Sequence, residues 1–582
     1  MRSSFSLAIV PLLLCGFWMP ALPAQKTHRI TLRPAPGSVT LAPGKTVTNG
    51  WLFNGSLPGP TIRLTQGDRL IVKFINDLDE ETTVHWHGLP VPMHVDGVPG
   101  VSQGPIGPGQ EYDYDFVVRT PGTYWYHPHV DLQIDHGLVG AIIVDPKDAK
   151  TDPRYDREHV LLVDDWLPGA PIAGRDPIYS DYLINGKTSA GQTPLVVKKG
   201  EVVRLRILNV SGATPYAFTV DGHKMRVTHA DGQPVVPTQA QVVPIGPGER
   251  YDVYLDADNP GKWSIAFADL RARNRTLVRA VLAYEGSTAP LPPASHVPAA
   301  LSSAPLLTYA QLQSAKPLGK LFARPTRSYD ISLTMGMMMN YIWMINGQAF
   351  PNADPIPVSL GDQVRFRAYN RTMMYHPMHL HGHFMLVHGS LGGTNAPLVK
   401  DTVLVPPGNM MWPGRMDVDW LADNPGNWPY HCHQIYHMAA GMMRLVEYVG
   451  RDGDQDGLAD GEDFSPASAW PVTWTEGGAG RYRIGSQVDL VAQWQPGEWA
   501  FWFVGAPLLQ GIPLGNLGDA MISLYIPLGQ AQVGSGRVAR MALPIPNDPS
   551  LKGVRAGVQA LVTHPKLPPG IRLSTLCYLR IR

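Results

Sequence analysis

The sequence predicts an all-β protein made of several sandwich domains, and three features of the chain support this prediction. At 582 residues the chain is too long to fold around one core. It contains 59 glycines and 56 prolines, which suit short strands joined by turns better than long helices. Its turn signals also recur in a fixed order, which indicates that one kind of sandwich is used repeatedly.

One plan of turns and strands occurs three times. Each copy opens with an apolar stretch that ends in Asn-Gly, at Asn54, Asn185 and Asn346. A Gly-acid turn before a β-rich run follows, and then two Pro-Gly turns, the second of which precedes an aromatic residue. Asn-Gly and Pro-Gly mark hairpins and turns, and the alternation in RLIVKF and VRLRIL is typical of strands. The chain is therefore expected to contain three related β-sandwiches.

The middle copy differs from the other two in its histidines. Where the first copy has HWHG and the third has HPMHLHGH, the middle copy has TPYAFTVDGHKM. Where the others have HPH and HCH, the middle copy has WSIAF. It keeps the turns and lacks the paired histidines, so the turns belong to the fold and the histidine clusters indicate chemistry.

Four histidine clusters carry that chemistry. A lone histidine is usually an ordinary surface or core residue, but paired clusters at these spacings indicate a metal site. The last cluster places a cysteine between two histidines, with a methionine downstream, and this set fits a blue copper site better than zinc. Side chains alternate faces along a strand, so the flanking histidines can serve a second metal centre. The clusters are HWHG (His85, His87), HPH (His127, His129), HPMHLHGH (His376, His379, His381) and HCHQIYH (His431, Cys432, His433, His437).

These four motifs, in this order, resemble the copper-binding motifs of the multicopper oxidases, the family of laccases, ascorbate oxidase and bacterial copper-resistance oxidases. The resemblance covers roughly residues 40 to 450. It implies three cupredoxin-like β-sandwich domains and four copper ions: one type 1, one type 2 and two type 3. The first and third domains would then share a trinuclear cluster across their interface, so bound metal would also hold the domains together.

The family's motifs imply a ligand for each position. Type 1 copper takes His376, Cys432 and His437, with Met442 as the axial ligand. Type 2 copper takes His85 and His379. One type 3 copper takes His87, His127 and His433, and the other takes His129, His381 and His431.

The resemblance also implies a mechanism. The type 1 site takes single electrons from a donor, Cys432 passes them to His431 and His433, and the cluster reduces O2 to two waters. Asp96, in HVDGVPG, matches the family's acidic residue beside the cluster, a candidate proton relay and orienter of ligands; the alternative is an ordinary turn aspartate. Some bacterial relatives carry an acid directly after the last type 1 histidine, where this chain has Met438, so a second relay is not expected there.

The methionines bear on the electron donor. Thioethers are soft ligands suited to Cu(I), but methionine also fills gaps in cores, and both interpretations remain open. HMAAGMMR resembles the ending of the periplasmic copper-resistance oxidases and favours Cu(I); phenolic donors, as for a laccase, remain open. A copper-sequestering protein with incidental oxidase activity is the alternative function, although sequestration needs no trinuclear site. The methionines concerned are Met335, Met337, Met338, Met339, Met344, Met373, Met374, Met378, Met410, Met411 and Met416.

The ends of the chain predict export and a further domain. Residues 1–24 have the pattern of a secretory signal, which predicts a periplasmic or secreted protein with no membrane span after cleavage. The formal net charge is +0 with no basic run, so no nucleic-acid partner is expected. The expected domains are 25–150, 151–290 and 326–450, with a linker at 291–325 and a small β domain at 465–582.

An acidic segment, 451–464, separates the third sandwich from the last domain. Asp452, Asp454, Asp456 and Asp460 match the carboxylate spacing of an EF-hand-like calcium loop. Position twelve is Asp463 rather than Glu, and no helical pattern clearly flanks the segment. A calcium loop and a solvated acidic linker both remain open.

Overall fold

The structure, a computed structural model, consists almost entirely of strands. It describes residues 26–167, 171–336 and 341–449, and beyond them only a set of strands within 472–581. Within the described residues two α-helices occur, α1 (Ala299–Ser303) and α2 (Ile435–Ala439), each of five residues. Short 3₁₀ helices lie at Met93–Val95, Gln133–His136, Ala149–Thr151, Ser189–Gly191 and Tyr309–Gln311. The predicted all-β class is confirmed.

The first region contains nine strands in three sheets. The sheets have the orders β1-β5-β7, β4-β9-β8-β6 and β2-β3. Along β5 every second residue is buried, because alternate side chains of a strand point to opposite faces. The strands are β1 (Thr27–Leu32), β2 (Pro34–Ala42), β3 (Lys45–Phe53), β4 (Gly59–Thr65), β5 (Arg69–Ile75), β6 (His85–His87), β7 (Glu111–Val117), β8 (Gly122–His127) and β9 (Gly140–Asp145).

The second region contains eleven strands in two sheets. The sheets have the orders β11-β10-β13-β18-β15-β16 and β12-β20-β19-β14-β17. The strands are β10 (Arg157–Trp166), β11 (Asp181–Ile184), β12 (Leu195–Val197), β13 (Val202–Asn209), β14 (Tyr216–Val220), β15 (Met225–Ala230), β16 (Gln233–Ala240), β17 (Val243–Ile245), β18 (Arg250–Asp256), β19 (Lys262–Asp269) and β20 (Thr276–Tyr284).

The third region repeats the second strand for strand. Its sheets have the orders β22-β21-β24-β29-β26-β27 and β23-β31-β30-β25-β28, so each strand occupies the place of the one eleven positions earlier. The strands are β21 (Arg327–Met335), β22 (Trp343–Ile345), β23 (Ile356–Val358), β24 (Gln363–Asn370), β25 (His376–Leu380), β26 (Met385–Val387), β27 (Leu398–Lys400), β28 (Thr402–Val405), β29 (Gly414–Leu421), β30 (Asn427–Cys432) and β31 (Met443–Tyr448).

The first region keeps the central part of the same plan. Its parallel pair β1·β5 and antiparallel pair β5·β7 correspond to β10·β13 and β13·β18 in the second region. Asn54, Asn185 and Asn346 all have positive φ (52°, 48° and 56°) and precede a glycine of positive φ, as an Asn-Gly hairpin turn requires. The three related sandwiches predicted from the turns are therefore present in the fold.

The segment between the second and third regions is partly built into the protein. Composition predicts a surface linker at 291–325, yet Leu301 and Leu312 are fully buried. Tyr309 donates a hydrogen bond from its hydroxyl to Glu249 of the second region, at 2.5 Å. The segment thus follows the surface but is anchored by apolar residues that composition alone does not distinguish.

Beyond residue 471 the structure describes eleven further strands. Their sheets include β32-β34-β39 and β33-β42-β40-β35-β38, consistent with the expected C-terminal β domain. The predicted signal, Met337, Met338, Met339 and the acidic segment 451–464 lie outside the described residues. Across the part that is described, no helix is long and apolar enough to cross a membrane. The last strands are β32 (Val472–Thr475), β33 (Arg481–Tyr482), β34 (Gln487–Gln493), β35 (Trp499–Gly505), β36 (Pro507–Pro513), β37 (Asp519–Ile522), β38 (Ile526–Gln532), β39 (Val538–Pro544), β40 (Arg555–Thr563), β41 (Ile571–Leu573) and β42 (Cys577–Ile581).

Candidate metal centre

Four strands and the residues that directly follow them bring eight histidines together between the first and third regions. In the first region, β6 pairs antiparallel with β8, so that His85 lies opposite His127. In the third region, β25 pairs antiparallel with β30, so that His379 lies opposite His431. All eight side chains are buried. The ring nitrogens form three groups within 4.8 Å: His85, His87 and His379; His87, His127 and His433; and His129, His381 and His431.

Several of these histidines have one bonded and one unbonded ring nitrogen. The Nδ1 atoms of His85, His127 and His379 donate to backbone carbonyls of Asp96, Pro128 and Asp401 at 2.7–2.9 Å. Their Nε2 atoms are buried and have no hydrogen-bond partner. A buried polar atom without a partner is costly, and a proton on Nδ1 leaves the lone pair on Nε2 free. These free lone pairs are therefore suited to a metal ion.

The third group shows the same need for a cation. The Nε2 atoms of His381 and His431 lie 2.9 Å apart, and that of His129 lies 3.5 Å from His431 Nε2. The other ring nitrogen is occupied in two of them, since Nδ1 of His431 donates to the Cys432 carbonyl at 3.0 Å and Nδ1 of His381 donates to Asp96. Three nitrogens that face one another as acceptors are satisfied by a metal ion.

Burial also keeps these ligands neutral. It lowers the pKa of His431 to about 4, and it lowers the pKa of His129 and of His433 well below the usual range, with neighbouring histidines adding to the effect. A neutral imidazole is the form that binds metal. These three histidines are therefore in the metal-binding form across the physiological pH range.

A second, smaller group lies at the other face of β30. Cys432 Sγ lies 3.5 Å from His376 Nδ1 and 3.7 Å from His437 Nδ1, and the two nitrogens are 3.2 Å apart. Burial raises the pKa of the Cys432 thiol, so a bound cation is needed to keep it as a thiolate. The Trp343 ring covers His437, with centroids 3.7 Å apart. Two histidines, one cysteine and an apolar cover are a set of groups that suits a copper ion.

Met442 lies beside this group, where the sequence predicts an axial ligand. It is fully buried. Its backbone carbonyl accepts from Cys432 N at 3.1 Å, and its own N–H donates to His437 O at 2.9 Å. These bonds hold Met442 next to two of the predicted type 1 ligands, and its role as axial ligand stays a prediction.

Three family models match most of this β-structure. Each is a multicopper oxidase model, and together they cover residues 37–149, 155–287 and 323–451. A "Multicopper oxidase MmcO" of Mycobacterium tuberculosis is 34% identical over 462 residues, which span 73% of this chain and 88% of that protein. The chain belongs to the multicopper oxidase family.

Other relatives extend the comparison. A "Copper resistance protein A" of Escherichia coli is 28% identical, over 68% of this chain and 88% of that protein. The crystal structure of a laccase from Botrytis aclada superposes with a TM-score of 0.62 at 26% identity, over 73% of this chain and 88% of the other. Multicopper oxidases bind four copper ions and use oxygen with an electron donor, and the unbonded nitrogens described above fit copper.

Asp96 contacts two of the clustered histidines. It follows the 3₁₀ turn Met93–Val95 and is 1% exposed. Its backbone carbonyl accepts from His85 Nδ1 at 2.7 Å, and its Oδ2 accepts from His381 Nδ1 at 2.8 Å. Gly97 follows with φ +81°, and a Cβ there would lie 1.8 Å from Val84 O. Asp96 is thus in a turn and also contacts two predicted ligands, and its role as proton relay and orienter stays a prediction.

Sequence reasoning missed several residues that contact the predicted ligands, among them Asp401, Thr402 and Asp176. Asp401 and Thr402 lie against His87 and His379. The Oδ1 atom of Asp176, in the second region, lies 3.3 Å from Nε2 of His437. Each contacts at least one ligand from a distant part of the chain (Thr402 and His87 are 315 residues apart), so no local spacing marks it.

Proposed function

We propose that this multicopper oxidase couples four one-electron oxidations of a donor to the reduction of O2 to two waters. The observation that carries the proposal is the position of Cys432, which lies in the smaller group while His431 and His433, bonded to it in the chain, lie in the larger one. Bound copper would supply the one-electron redox chemistry that side chains lack. A covalent path of one residue then joins the site of oxidation to the site of oxygen reduction.

The proposed holders of copper follow the sequence assignment. His376, Cys432 and His437, with Met442, hold type 1 copper; His85 and His379 hold type 2 copper. His87, His127 and His433 hold one type 3 ion, and His129, His381 and His431 hold the other. The unbonded Nε2 atoms of His85 and His379 and the unbonded Nδ1 of His87 support this arrangement.

The donor is proposed to approach at His437. Its outer nitrogen, Nε2, lies 3.3 Å from Asp176 Oδ1, and the Asp176 side chain is 44% exposed. Tyr341 donates its hydroxyl to the same oxygen at 2.6 Å. A carboxylate at this place attracts a cationic donor and can also accept the proton that a phenol loses on oxidation.

Cu(I) is the donor that the exposed thioethers favour. Met373, Met410 and Met411 are 80%, 68% and 80% exposed, so they do not fill a core. Their loops are joined, because Gly408 N donates to Thr372 O at 2.8 Å. The Thr372 hydroxyl lies 2.8 Å from His376 Nε2. Soft ligands for Cu(I) therefore lie on the loops next to the type 1 site.

The other described methionines divide between core and surface. Met378 is 1% exposed and takes part in the core, as the gap-filling interpretation predicts, whereas Met335 is 50% exposed. A phenolic donor is the second candidate, since Ile178, two residues from Asp176, is 92% exposed and offers apolar surface to an aromatic ring.

Oxygen uptake by the copper-loaded protein tests the function. Cu(I) and a simple phenol are supplied side by side, with Cys432→Ser as the inactive control. Uptake with Cu(I) far above phenol supports a cuprous oxidase, and strong uptake with phenol alone makes the enzyme a laccase. No uptake with either, despite a blue absorption band, would favour copper sequestration.

A methionine variant sharpens the choice of donor. The triple change Met373→Leu, Met410→Leu and Met411→Leu is expected to raise the KM for Cu(I) about tenfold and leave phenol oxidation unchanged. Met416→Leu, a half-buried methionine on β29, is the matched control. Equal KM values in the triple variant and the control would exclude these thioethers from Cu(I) binding.

We also propose that the enzyme is exported to the periplasm or secreted. The N-terminal pattern of a basic residue, an apolar run and a small residue at Ala24 supports this. The mature protein would then begin near Gln25, which N-terminal sequencing of the purified enzyme checks. An intact Met1 in the purified protein would refute export through this segment.

A further inference from the structure

The middle sandwich holds no predicted copper ligand, yet one of its turns lies against the histidine cluster. The turn at 246–249 connects β17 to β18. A Cβ on Gly248 would lie 3.0 Å from His433 Cγ and 3.1 Å from His87 Cε1, and Gly248 has φ +88°. Both the contact and the backbone conformation favour glycine. The turn therefore packs directly on the rings of two histidines.

Arg250, the first residue of β18, extends from this turn to Asp401. It is 0% exposed. Its Nη1 and Nη2 atoms donate to the two carboxylate oxygens of Asp401 at 2.7 and 2.6 Å, and its Nε donates to Thr123 O at 3.0 Å. One guanidinium thus joins the first, second and third regions in a fixed fork geometry.

Asp401 and its neighbour Thr402 contact the second nitrogens of two predicted ligands. The Asp401 carbonyl accepts from His379 Nδ1 at 2.9 Å, and Asp401 Oδ1 lies 3.3 Å from His87 Nε2. The Thr402 hydroxyl lies 3.1 Å from both of these nitrogens. The opposite nitrogens, His87 Nδ1 and His379 Nε2, are the unbonded ones.

The middle sandwich also holds the backbone of this pair. Asp231 Oδ2 accepts from the backbone N–H groups of Asp401 and Thr402 at 3.2 and 3.1 Å. Asp231 Oδ1 accepts from Arg250 N at 2.9 Å and lies 3.0 Å from Lys400 Nζ. The position of Asp401 is therefore set by side chain and backbone contacts from the second region.

We propose that Arg250 is a positioning residue for the trinuclear centre: by fixing Asp401 it orients His87 and His379, which hold copper ions of two different types. The inference rests on the ligand assignment given under the proposed function. Lysine cannot reproduce it, because an ammonium group does not offer the paired donors that hold both carboxylate oxygens. Groups that orient metal ligands typically contribute about 10- to 100-fold to metal affinity or activity.

The test is Arg250→Lys in the full-length, copper-loaded enzyme. Copper per chain after dialysis against a chelator and the electron paramagnetic resonance spectrum of type 2 copper are measured beside kcat. We expect a changed type 2 spectrum, copper affinity at the trinuclear centre lowered about tenfold or more, and an unchanged blue band. Full copper retention with an unchanged type 2 spectrum would overturn the proposal.

Arg204→Lys is the matched control. Arg204 is an equally buried arginine of the same sandwich, bonded to Asp252 at 2.5 Å and to Asp152 at 2.8 Å. It is expected to leave the type 2 spectrum unchanged. Equal changes in both variants would overturn the proposal, because they would reflect general loss of packing.

Asp401→Asn decides the question if Arg250→Lys does not fold. It keeps the size and the backbone carbonyl but weakens the hold of the guanidinium, so the same changes in spectrum and copper retention are expected. An unchanged type 2 spectrum in this variant would refute the role of the pair. These readouts do not depend on oxygen uptake by the wild type, so failure of this inference is distinguishable from failure of the proposed function.

Discussion

Two buried aspartates contact the histidine cluster in the same way, Asp96 from the first region and Asp401 from the third. The backbone carbonyl of each accepts from a predicted type 2 ligand, His85 or His379, at 2.7 or 2.9 Å. The carboxylate of each faces a type 3 ligand: Asp96 Oδ2 lies 2.8 Å from His381 Nδ1, and Asp401 Oδ1 lies 3.3 Å from His87 Nε2.

The two aspartates differ in what holds them. Arg250 binds both oxygens of Asp401, whereas among the described residues Asp96 has ion-pair contacts only with His85 and His381. Asp96 Oδ1 also lacks a hydrogen-bond partner in the described structure. Similar positions therefore have different surroundings: the Asp401 carboxylate is held by a guanidinium, and the Asp96 carboxylate keeps one oxygen without a partner among the described residues.

The largest expected effect that tests this contrast is a loss of turnover in the Asp96→Asn variant. The amide keeps the size of the side chain but cannot carry a proton, so kcat should fall about 100-fold. Copper content should stay complete and the solvent deuterium isotope effect on kcat should increase. Asp115→Asn, on β7 of the same sandwich, is the control. Undiminished turnover in Asp96→Asn would remove the relay role.

Asp401→Asn is expected to have a smaller effect of another kind. It should lower copper retention and kcat about tenfold through misplaced ligands, with no change in the solvent isotope effect. Copper analysis and kinetics in light and heavy water check this. An increased isotope effect equal to that of Asp96→Asn would show that the two aspartates share one role.

A third buried aspartate, Asp252, is also bound by arginines but has no predicted copper ligand beside it. It shows what such a contact contributes to stability. Burial raises the pKa of Asp252, but Arg204 and Arg206 outweigh burial and lower the pKa to about 2. The folded-state pKa is thus below the unfolded value of 3.8, so the stabilisation is complete above about pH 4 and is lost as pH falls towards 2.

Integrated over that range, Asp252 contributes about 2 kcal/mol to the free energy of unfolding. The midpoint of denaturant unfolding should fall between pH 4 and pH 2, and the fall should be smaller in Asp252→Asn. Parallel pH profiles of the wild type and the variant would contradict the low pKa.

The smallest expected effect concerns the turn that carries Arg250. Gly248→Ala should destabilise the protein by about 1–2 kcal/mol through its positive φ, with a further loss because the methyl group meets the His433 ring. Gly200→Ala is a close control, since Gly200 has φ +91° and a Cβ there meets nothing within 4 Å. Equal thermal midpoints in both variants would mean that the ring contact costs nothing.

The sequence was sufficient for features that are encoded locally. The three Asn-Gly turns at Asn54, Asn185 and Asn346 predicted the repeat, and two sandwiches share one strand order. Paired histidines such as His85 and His87 lie two apart on one strand and so reach the same face, which is why spacing alone selects them.

The missed residues act across long separations. Arg250 and Asp401 are 151 residues apart in the chain. Arg250 follows a Pro-Gly turn that all three copies share, so its position indicates a role in the fold and not in the metal site. Asp176 reaches His437 from a loop without a motif. Such contacts depend on how sandwiches pack, and one sequence carries no local signal for them.

The division of the cluster between distant segments has a consequence for how the protein is made. His85 to His129 are synthesised first, Arg250 next, and His376 to His437 last. During translation the early histidines are complete long before the residues that close each group around a metal ion exist. The four-copper centre can thus be completed only after the third sandwich has been synthesised, since every group takes at least one ligand from it.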